Sequence, residues 1–243
     1  MCIRDRYASA QGMVWKLRYS AGVNWQLNRI GYHDKQADIK SHNTQWAINP
    51  TVQLMMPFGS KMNHTVMLNY KRTLSDIPYT AISSVVNWDD PYNYTVGNPN
   101  LKAQSAEMIM AGLSLFRNKV NITALYAHSH DRIYWQTFQS TENPDVFYTK
   151  PVNISGQGVW GFGAEWIESP VKWWKFKLSG RIEITPENIT IANIHYGKTR
   201  LKEYFYFNNN FRFPNGWGGM LNVNFEPTYK TLDRTYHAVY NVN

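Results

Sequence analysis

The chain has 243 residues, of which 43% are apolar, 15% aromatic and 17% charged, and its net charge is +8. No run approaches the roughly eighteen consecutive apolar residues of a transmembrane helix, which excludes that class but not a barrel. A barrel needs only alternate residues apolar, so its mean hydropathy (here −0.48) looks soluble. The Lys and Arg are interleaved with apolar residues, as in Trp174-Lys175-Phe176-Lys177-Leu178, rather than clustered, so no nucleic-acid partner is expected.

The opening, residues 1–6, shows no strand pattern and no apolar core of a signal peptide. It reads as a non-native leader, with residues 7–243 forming part of one barrel domain. Its Cys2 is the single Cys, so no intramolecular disulfide forms. Then Met13, Trp15, Leu17, Tyr19, Ala21, Val23, Trp25 and Leu27 are all apolar, while Lys16, Arg18, Ser20, Gly22, Asn24 and Gln26 are polar or Gly. Eight hits on one parity arise by chance roughly once in a thousand starts. Period two means a strand with one apolar and one wet face. At about 50 Å, a fifteen-residue strand is far longer than a soluble one.

The pattern recurs. A polar stretch, Asn28 to Thr44, precedes a second strand with Trp46, Ile48, Pro50, Val52, Leu54 and Met56 on one face, where Pro50 predicts a bulge. The third carries Val66, Leu68 and Tyr70. A long irregular segment, 73–104, leads to the fourth, with Ile109, Ala111, Leu113 and Leu115. The fifth runs from Val120, Ile122, Ala124 and Tyr126 through His128 and His130 to Ile133-Tyr134-Trp135. After a loop from Gln139 to Lys150, the sixth shows Trp160, Phe162, Ala164 and Trp166. The seventh shows Trp174, Phe176, Leu178, Gly180, Ile182 and Ile184. Beyond a loop from Pro186 to Lys198, the eighth has Glu203, Phe205, Phe207 and Phe211 on one parity and Tyr204, Tyr206, Asn208 and Asn210 on the other, so its apolar face is ambiguous. The ninth carries Leu221, Val223 and Phe225, and the chain stops inside a tenth.

Connections alternate long and short, as in outer-membrane barrels, whose short turns face the periplasm. That places 57–63, 117–119, 168–172 and 213–218 in the periplasm and 73–104 outside, where a long structureless connection implies function. Sixteen Tyr and ten Trp suit the membrane interface. The predicted fold is a transmembrane antiparallel up-and-down β-barrel, nine to ten strands of a larger one, in contact with outer-membrane lipid. Its polar faces (Lys16, Arg18, Gln53, Lys175, Arg181, Glu183) line the lumen.

Leu68-Asn69-Tyr70-Lys71-Arg72-Thr73-Leu74-Ser75-Asp76-Ile77-Pro78-Tyr79 resembles the strand end entering the large extracellular loop of a Bacteroidota family. Gly97-Asn98-Pro99-Asn100-Leu101-Lys102, before the next strand, and Asp131-Arg132-Ile133-Tyr134 fit as well. The family is the C-terminal barrel domain of TonB-dependent outer-membrane receptors. The close match covers residues 64–138, and the remainder matches in rhythm. The resemblance implies a 22-stranded barrel, an N-terminal plug, and import of a scarce ligand (siderophore, cobalamin, glycan or peptide) with energy relayed by TonB. The chain departs from the complete pattern: it contains no plug, no TonB-contacting segment and no final strand ending in an aromatic residue.

In the long loop, Trp88, Asp89, Asp90, Tyr92 and Tyr94 combine rings with carboxylates, a set suited to stacking on and hydrogen-bonding a ligand. The competing reading is loop packing and Asp/Asn turn chemistry. Gly97-Asn98-Pro99-Asn100 reads as a turn. His128 and His130 share a strand face, and with Asp131 they are weak metal candidates lacking a third identified ligand beyond it. No nucleophile motif appears, so neither catalysis nor a cofactor is expected. A passive porin-like channel and a soluble all-β binding module remain as alternatives. The soluble module requires Trp15, Trp25 and Trp174 to be core residues.

Overall fold

A computed structural model describes residues 2–34, 38–191, 194–231 and 234–243. Its strands are β1 (Cys2–Val14), β2 (Leu17–Asp34), β3 (Ile39–Phe58), β4 (His64–Leu74), β5 (Asn87–Asp90), β6 (Asn93–Thr95), β7 (Ser105–Leu115), β8 (Val120–His130), β9 (Arg132–Gln139), β10 (Phe147–Ile154), β11 (Gln157–Val171), β12 (Trp174–Ile191), β13 (Ile194–Arg212), β14 (Gly218–Glu226), β15 (Tyr229–Lys230), β16 (Thr235–Tyr236) and β17 (Val239–Val242). One helical turn, α1 (Tyr79–Ile82), follows β4. Among the described residues, eleven strands form one antiparallel sheet in the order β1-β2-β3-β4-β7-β8-β11-β12-β13-β14-β17. The sheet is open, with β1 and β17 as its edges. A four-stranded sheet, β5-β6-β10-β9, stands above it at the long-loop end.

Two adjacent rows across the large sheet explain its chemistry. Val66, Leu113, Ile122, Ala164, Gly180, Phe205, Phe225 and Tyr240 are paired strand to strand on one face. One residue along, Thr65, Ser114, Asn121, Glu165, Ser179, Tyr206, Asn224 and Asn241 are paired on the other. Alternation therefore holds in register over eight strands. The same register resolves β13: Phe205, Phe207 and Phe211 lie opposite Gly180, Leu178 and Trp174 on the apolar face. The wet face holds ion pairs between neighbouring strands, Lys177 with Glu165, Arg200 with Glu187 (3.1 Å) and Lys202 with Glu226 (3.5 Å). Among the described residues the apolar face has no protein cover. Trp25 is 59% exposed, and Ile48, Leu68, Ile109, Phe162 and Leu178 are exposed with it. A continuous apolar face of this size is stable only against lipid.

The buried apolar cluster lies elsewhere. Ile30, Ile77, Ala81, Ile82, Leu101 and Ala103, with Leu74 and Ile133 against them, pack beneath the long loop. The loop shares this core with the upper ends of β2 and β4, through Ile30 and Leu74.

Several expectations need correction. The fifteen-residue run Met13–Leu27, with its eight alternate apolar positions, straddles a hairpin. β1 ends at Val14, Trp15 and Lys16 form the turn, and Val14 pairs with Leu17. Pairing Met13 with Arg18 puts Met13 on the wet face, and Trp15 belongs to the turn. Residues 2–6, read as lacking a strand pattern, continue β1 and pair with β2 up to Arg29. This hairpin raises the count from nine or ten to eleven. Pro50 makes no bulge: β2 and β3 stay in register across it. It sits one residue beyond the last β3–β4 pair, Thr51 with Lys71, where a missing N–H breaks no ladder there. The bulge in the large sheet falls instead at Glu168–Val171, around Pro170.

Most of the stretches read as loops at 28–44 and 186–198 are strand. β2/β3 and β12/β13 remain paired to Asp34–Ile39 and Ile191–Ile194. Residues 35–37 and 192–193, inside those stretches, lie outside the described residues. The pattern fades because both faces of a hairpin standing in water are polar, while the backbone ladder continues. Finally, β8 stops at His130, Asp131 turns the chain at φ 51°, and Ile133–Trp135 belong to the upper sheet.

Candidate extracellular site

Two long connections, 75–104 and 131–156, build one cap at the long-loop end. They join through β6 and β10, which pair in parallel with Tyr94 opposite Tyr148. The inner wall holds the cap down. Asn43 Nδ2 donates to the carbonyls of Pro99 and Leu101, both at 2.8 Å, and Gln45 Nε2 donates to Leu101 O at 3.1 Å. Asn28 Nδ2 donates to Asp76. Asn28 and Asn43 are buried amides whose donors are satisfied by the loop, so they fix its position.

The segment Gly97–Lys102 explains itself at this junction. Gly97 N donates to Ser83 O (2.7 Å) and Asn98 N to Ala81 O (2.6 Å), closing the loop behind α1. A Cβ on Gly97 would overlap the Ser83 carbonyl oxygen and lie 2.6 Å from Ser83 N, so only glycine fits. Asn98 Oδ1 accepts from Asn100 N at 3.1 Å, an Asx turn, while its Nδ2 reaches Pro151 O. The turn reading of 97–100 therefore holds, and the turn also ties both connections together. Asn153 completes the tie. Its Oδ1 accepts from Lys102 N (2.8 Å), and its Nδ2 donates to Lys102 O and Asp131 O, each 2.9 Å away.

The upper sheet brings one ring from each of its four strands into a ladder. Trp88 and Tyr94 have centroids 4.8 Å apart, Tyr94 and Tyr148 stack at 5.4 Å, and Tyr148 and Phe138 stack at 5.3 Å. Trp88, at the open end, is 56% exposed. Cross-strand rings at this spacing hold the sheet and present a row of ring surface. Tyr148 and Phe138 were not singled out from sequence. Their partnership depends on a parallel pairing between segments some fifty residues apart, which leaves no local signal.

The acidic pair divides. Asp90 accepts from Tyr92 N (2.7 Å) and from Asn93 Nδ2 with both oxygens (3.1 and 2.9 Å). The Asn93 side-chain bond, then the Tyr92 backbone bond, hold its carboxyl below the usual carboxylate range. Asp89 points differently and accepts from Thr95 Oγ1 at 3.2 Å. Tyr92 stands exposed on the turn between β5 and β6. Because the folded-state pKa of Asp90 is lowered, its contribution is present above the ordinary value of 3.8 and is lost as pH falls through the folded value. Protection of the 90–93 amides, taken relative to their intrinsic exchange rates, is expected to persist down to about pH 4 and to be lost only below it, as hydrogen-exchange measurements at stepped pH would read.

His128 and His130 have rings 4.4 Å apart, and His130 Nε2 lies 4.0 Å from Glu107 Oε1. Glu107 also faces Arg72 at 3.7 Å. Asp131 turns away and offers its backbone carbonyl to Asn153. Among the described residues no three His, Cys, Asp or Glu side chains converge on a metal position.

With this geometry, comparison is informative. The chain resembles a point mutant of the ferric enterobactin receptor PfeA of Pseudomonas aeruginosa, solved in complex with enterobactin. The TM-score is 0.68 at 10% identity, over 98% of this chain and 36% of that one. It also resembles the siderophore receptor PirA of Pseudomonas aeruginosa, with TM-score 0.50 and 12% identity over 99% of this chain and 56% of that one. The chain thus spans between about a third and just over half of these receptors, and at such identities the likeness is one of fold. No curated protein sequence matches it. The outer membrane protein beta-barrel family matches residues 6–243. The apolar outer face, polar inner wall, short turns at one end and capped loops at the other agree with that match: the chain is an outer-membrane protein and belongs to the outer membrane protein beta-barrel family.

Proposed function

We propose that this chain is the barrel portion of a TonB-dependent receptor that imports a scarce ligand, captured first by the extracellular cap. The observation that carries the reading is the cap itself: two connections fused through β6 and β10 and held to the inner wall by Asn28, Asn43 and Gln45. A passive channel gains nothing from a structured cover on its mouth, whereas a receptor needs a rigid surface there. In this reading the ladder Trp88, Tyr94, Tyr148 and Phe138 offers ring surface to the ligand, Tyr92 and Asp89 flank it, and Asp90 shapes the turn. A plug and TonB belong to the whole protein, with the plug filling the lumen and relaying the energy. The exposed Trp15 and Trp25 speak against a soluble binding module.

Both solved neighbours are siderophore receptors, so ferric enterobactin is the first probe, followed by cobalamin, glycans and peptides. Uptake by cells expressing the whole protein is expected to vanish when TonB is deleted. Trp88→Ala combined with Tyr148→Ala is expected to weaken capture about tenfold, the order of one or two ring contacts. Uptake independent of TonB would instead establish a passive channel.

A further inference from the structure

The short-turn end carries an arrangement that the import reading does not use. Each of its five turns carries an exposed aromatic within three residues of a cation in sequence: Trp15 and Lys16, Phe58 and Lys61, Phe116 and Arg117, Trp173 and Lys172, and Phe213 and Arg212. Between the turns at 59–63 and 116–119 and the end of β11 lies an open cavity of about 590 Å³. Lys61, Arg117 and Lys119 line it with Phe116, Trp166 and Glu168. Lys119 Nζ is engaged by both oxygens of Glu168, at 2.7 and 2.9 Å. Among the described residues neither Lys61 nor Arg117 has an acidic partner, so two uncompensated cations face the cavity.

The cavity wall is built. Phe116, Arg117 and Asn118 all sit in the left-handed region, at φ 53°, 57° and 65°, which costs non-glycine residues energy. Neighbours hold them there. Arg117 N donates to Asn63 O (2.8 Å), Phe116 N to His64 Nδ1 (3.2 Å), and Ile167 N to Lys119 O (2.7 Å). The turn is thus fixed to a strand pair on either side. The cavity is also continuous with the lipid-facing surface. Val120 and Trp166 line it, and the outward row Leu115, Val120, Trp166 and Leu178 runs away from it into the membrane band.

Two uncompensated cations and a fixed aromatic wall, at the level where headgroups meet acyl chains, fit one class of molecule. We propose that this cavity binds an anionic phospholipid of the inner leaflet, its phosphate between Lys61 and Arg117 and an acyl chain along Val120 and Trp166. The inference rests on the outer-membrane location and on the short turns facing the periplasm, and stands whatever ligand the cap captures. Lipid attached at this point joins the β3/β4 and β11/β12 hairpins, which the 116–119 segment links by hydrogen bonds to Asn63 and His64 on one side and Ile167 on the other.

The test uses the protein in neutral-detergent micelles, with phosphatidylglycerol and phosphatidylcholine as probes and bound lipid counted by native mass spectrometry. Phosphatidylglycerol is expected to be retained in preference to phosphatidylcholine. Lys61→Ala and Arg117→Ala are each expected to weaken its binding about fivefold, the effect of one cation near an anionic headgroup. Lys230→Ala, at the opposite end, is expected to leave it unchanged. Both side chains are exposed, so the variants keep the fold, which an unaltered heat-unfolding transition confirms. Equal retention of the two lipids overturns the proposal, as does a double variant that binds like the unaltered protein. Displacement of the lipid by millimolar inorganic phosphate overturns it too, marking a site for a free anion.

Discussion

Leu68→Arg is expected to block assembly into bilayers, whereas Trp15→Arg is expected to be tolerated. Leu68 lies on β4 between Leu54 and Ala111, near the middle of the outward row, and is exposed with no protein above it. A cation there meets hydrocarbon, at a cost of about 2–4 kcal/mol near the midplane. Trp15 sits in the β1/β2 turn, where the same change costs about 0–1 kcal/mol because the side chain reaches headgroups and water. Folding of the whole protein into phosphatidylcholine vesicles, read by the shift of the folded band in unheated gel samples, separates the two. Equal loss in both would mean that the turn is buried in the membrane. Equal tolerance would mean that the β4 face does not meet lipid.

Gly97→Val is expected to release the cap while sparing the barrel. The new side chain would begin inside the Ser83 carbonyl and 2.8 Å from Thr80 O, and both obstacles are backbone that cannot swing aside. Overpacking of this kind costs about 1–3 kcal/mol or more. The damage stays local because Gly97 touches α1 and the cap core, which meets the large sheet at its long-loop end, through Ile30 of β2 and Leu74 of β4. Protease is expected to cut between residues 75 and 104 in the variant and not in the unaltered protein, with an unchanged barrel transition on heating. Capture of ligand would fall with the cap if the receptor reading holds. A variant that resists protease would show that 97–100 tolerates rearrangement.

Much of the barrel was legible because lipid and lumen impose opposite chemistry on neighbouring residues. Val66, Leu68 and Tyr70 against Thr65, Asn69 and Lys71 state the faces of β4 without any tertiary information, and the register agrees. What escaped lacks that contrast. The Trp15-Lys16 turn has neither Gly nor Asn, and Trp15 takes φ 54° at a position glycine usually fills, so the run from Met13 to Leu27 reads as unbroken. The turn also swaps the parity of the wet and apolar faces, which is why Met13 was placed on the wrong side. The upper halves of β2, β3, β12 and β13 stand in water on both faces, and their ladders are silent in hydropathy.

In the cap, the sequence singled out Trp88 and Tyr94 but neither Tyr148 nor Phe138, because β10 reaches β6 from a different connection. Asp89 and Asp90 looked like a pair. Successive residues in extended chain face apart, and each found its own local partner, Thr95 for one and the 90–93 turn for the other. The Gly-Asn-Pro segment was legible as a turn. Its role as a fastening between two connections needed Asn153, which lies fifty-one residues beyond Lys102.

The membrane wall is tested most simply by a cysteine scan along β4, from residue 65 to residue 71, in the whole protein carrying Cys2→Ser and folded into vesicles. Each position is offered a lipid-soluble and a water-soluble thiol reagent. Alternation is expected: cysteines at 66, 68 and 70 react with the lipid-soluble reagent, and those at 65, 69 and 71 with the water-soluble one. Uniform reaction with the water-soluble reagent would contradict it, because the apolar row would then face water and the sheet would not be a membrane wall.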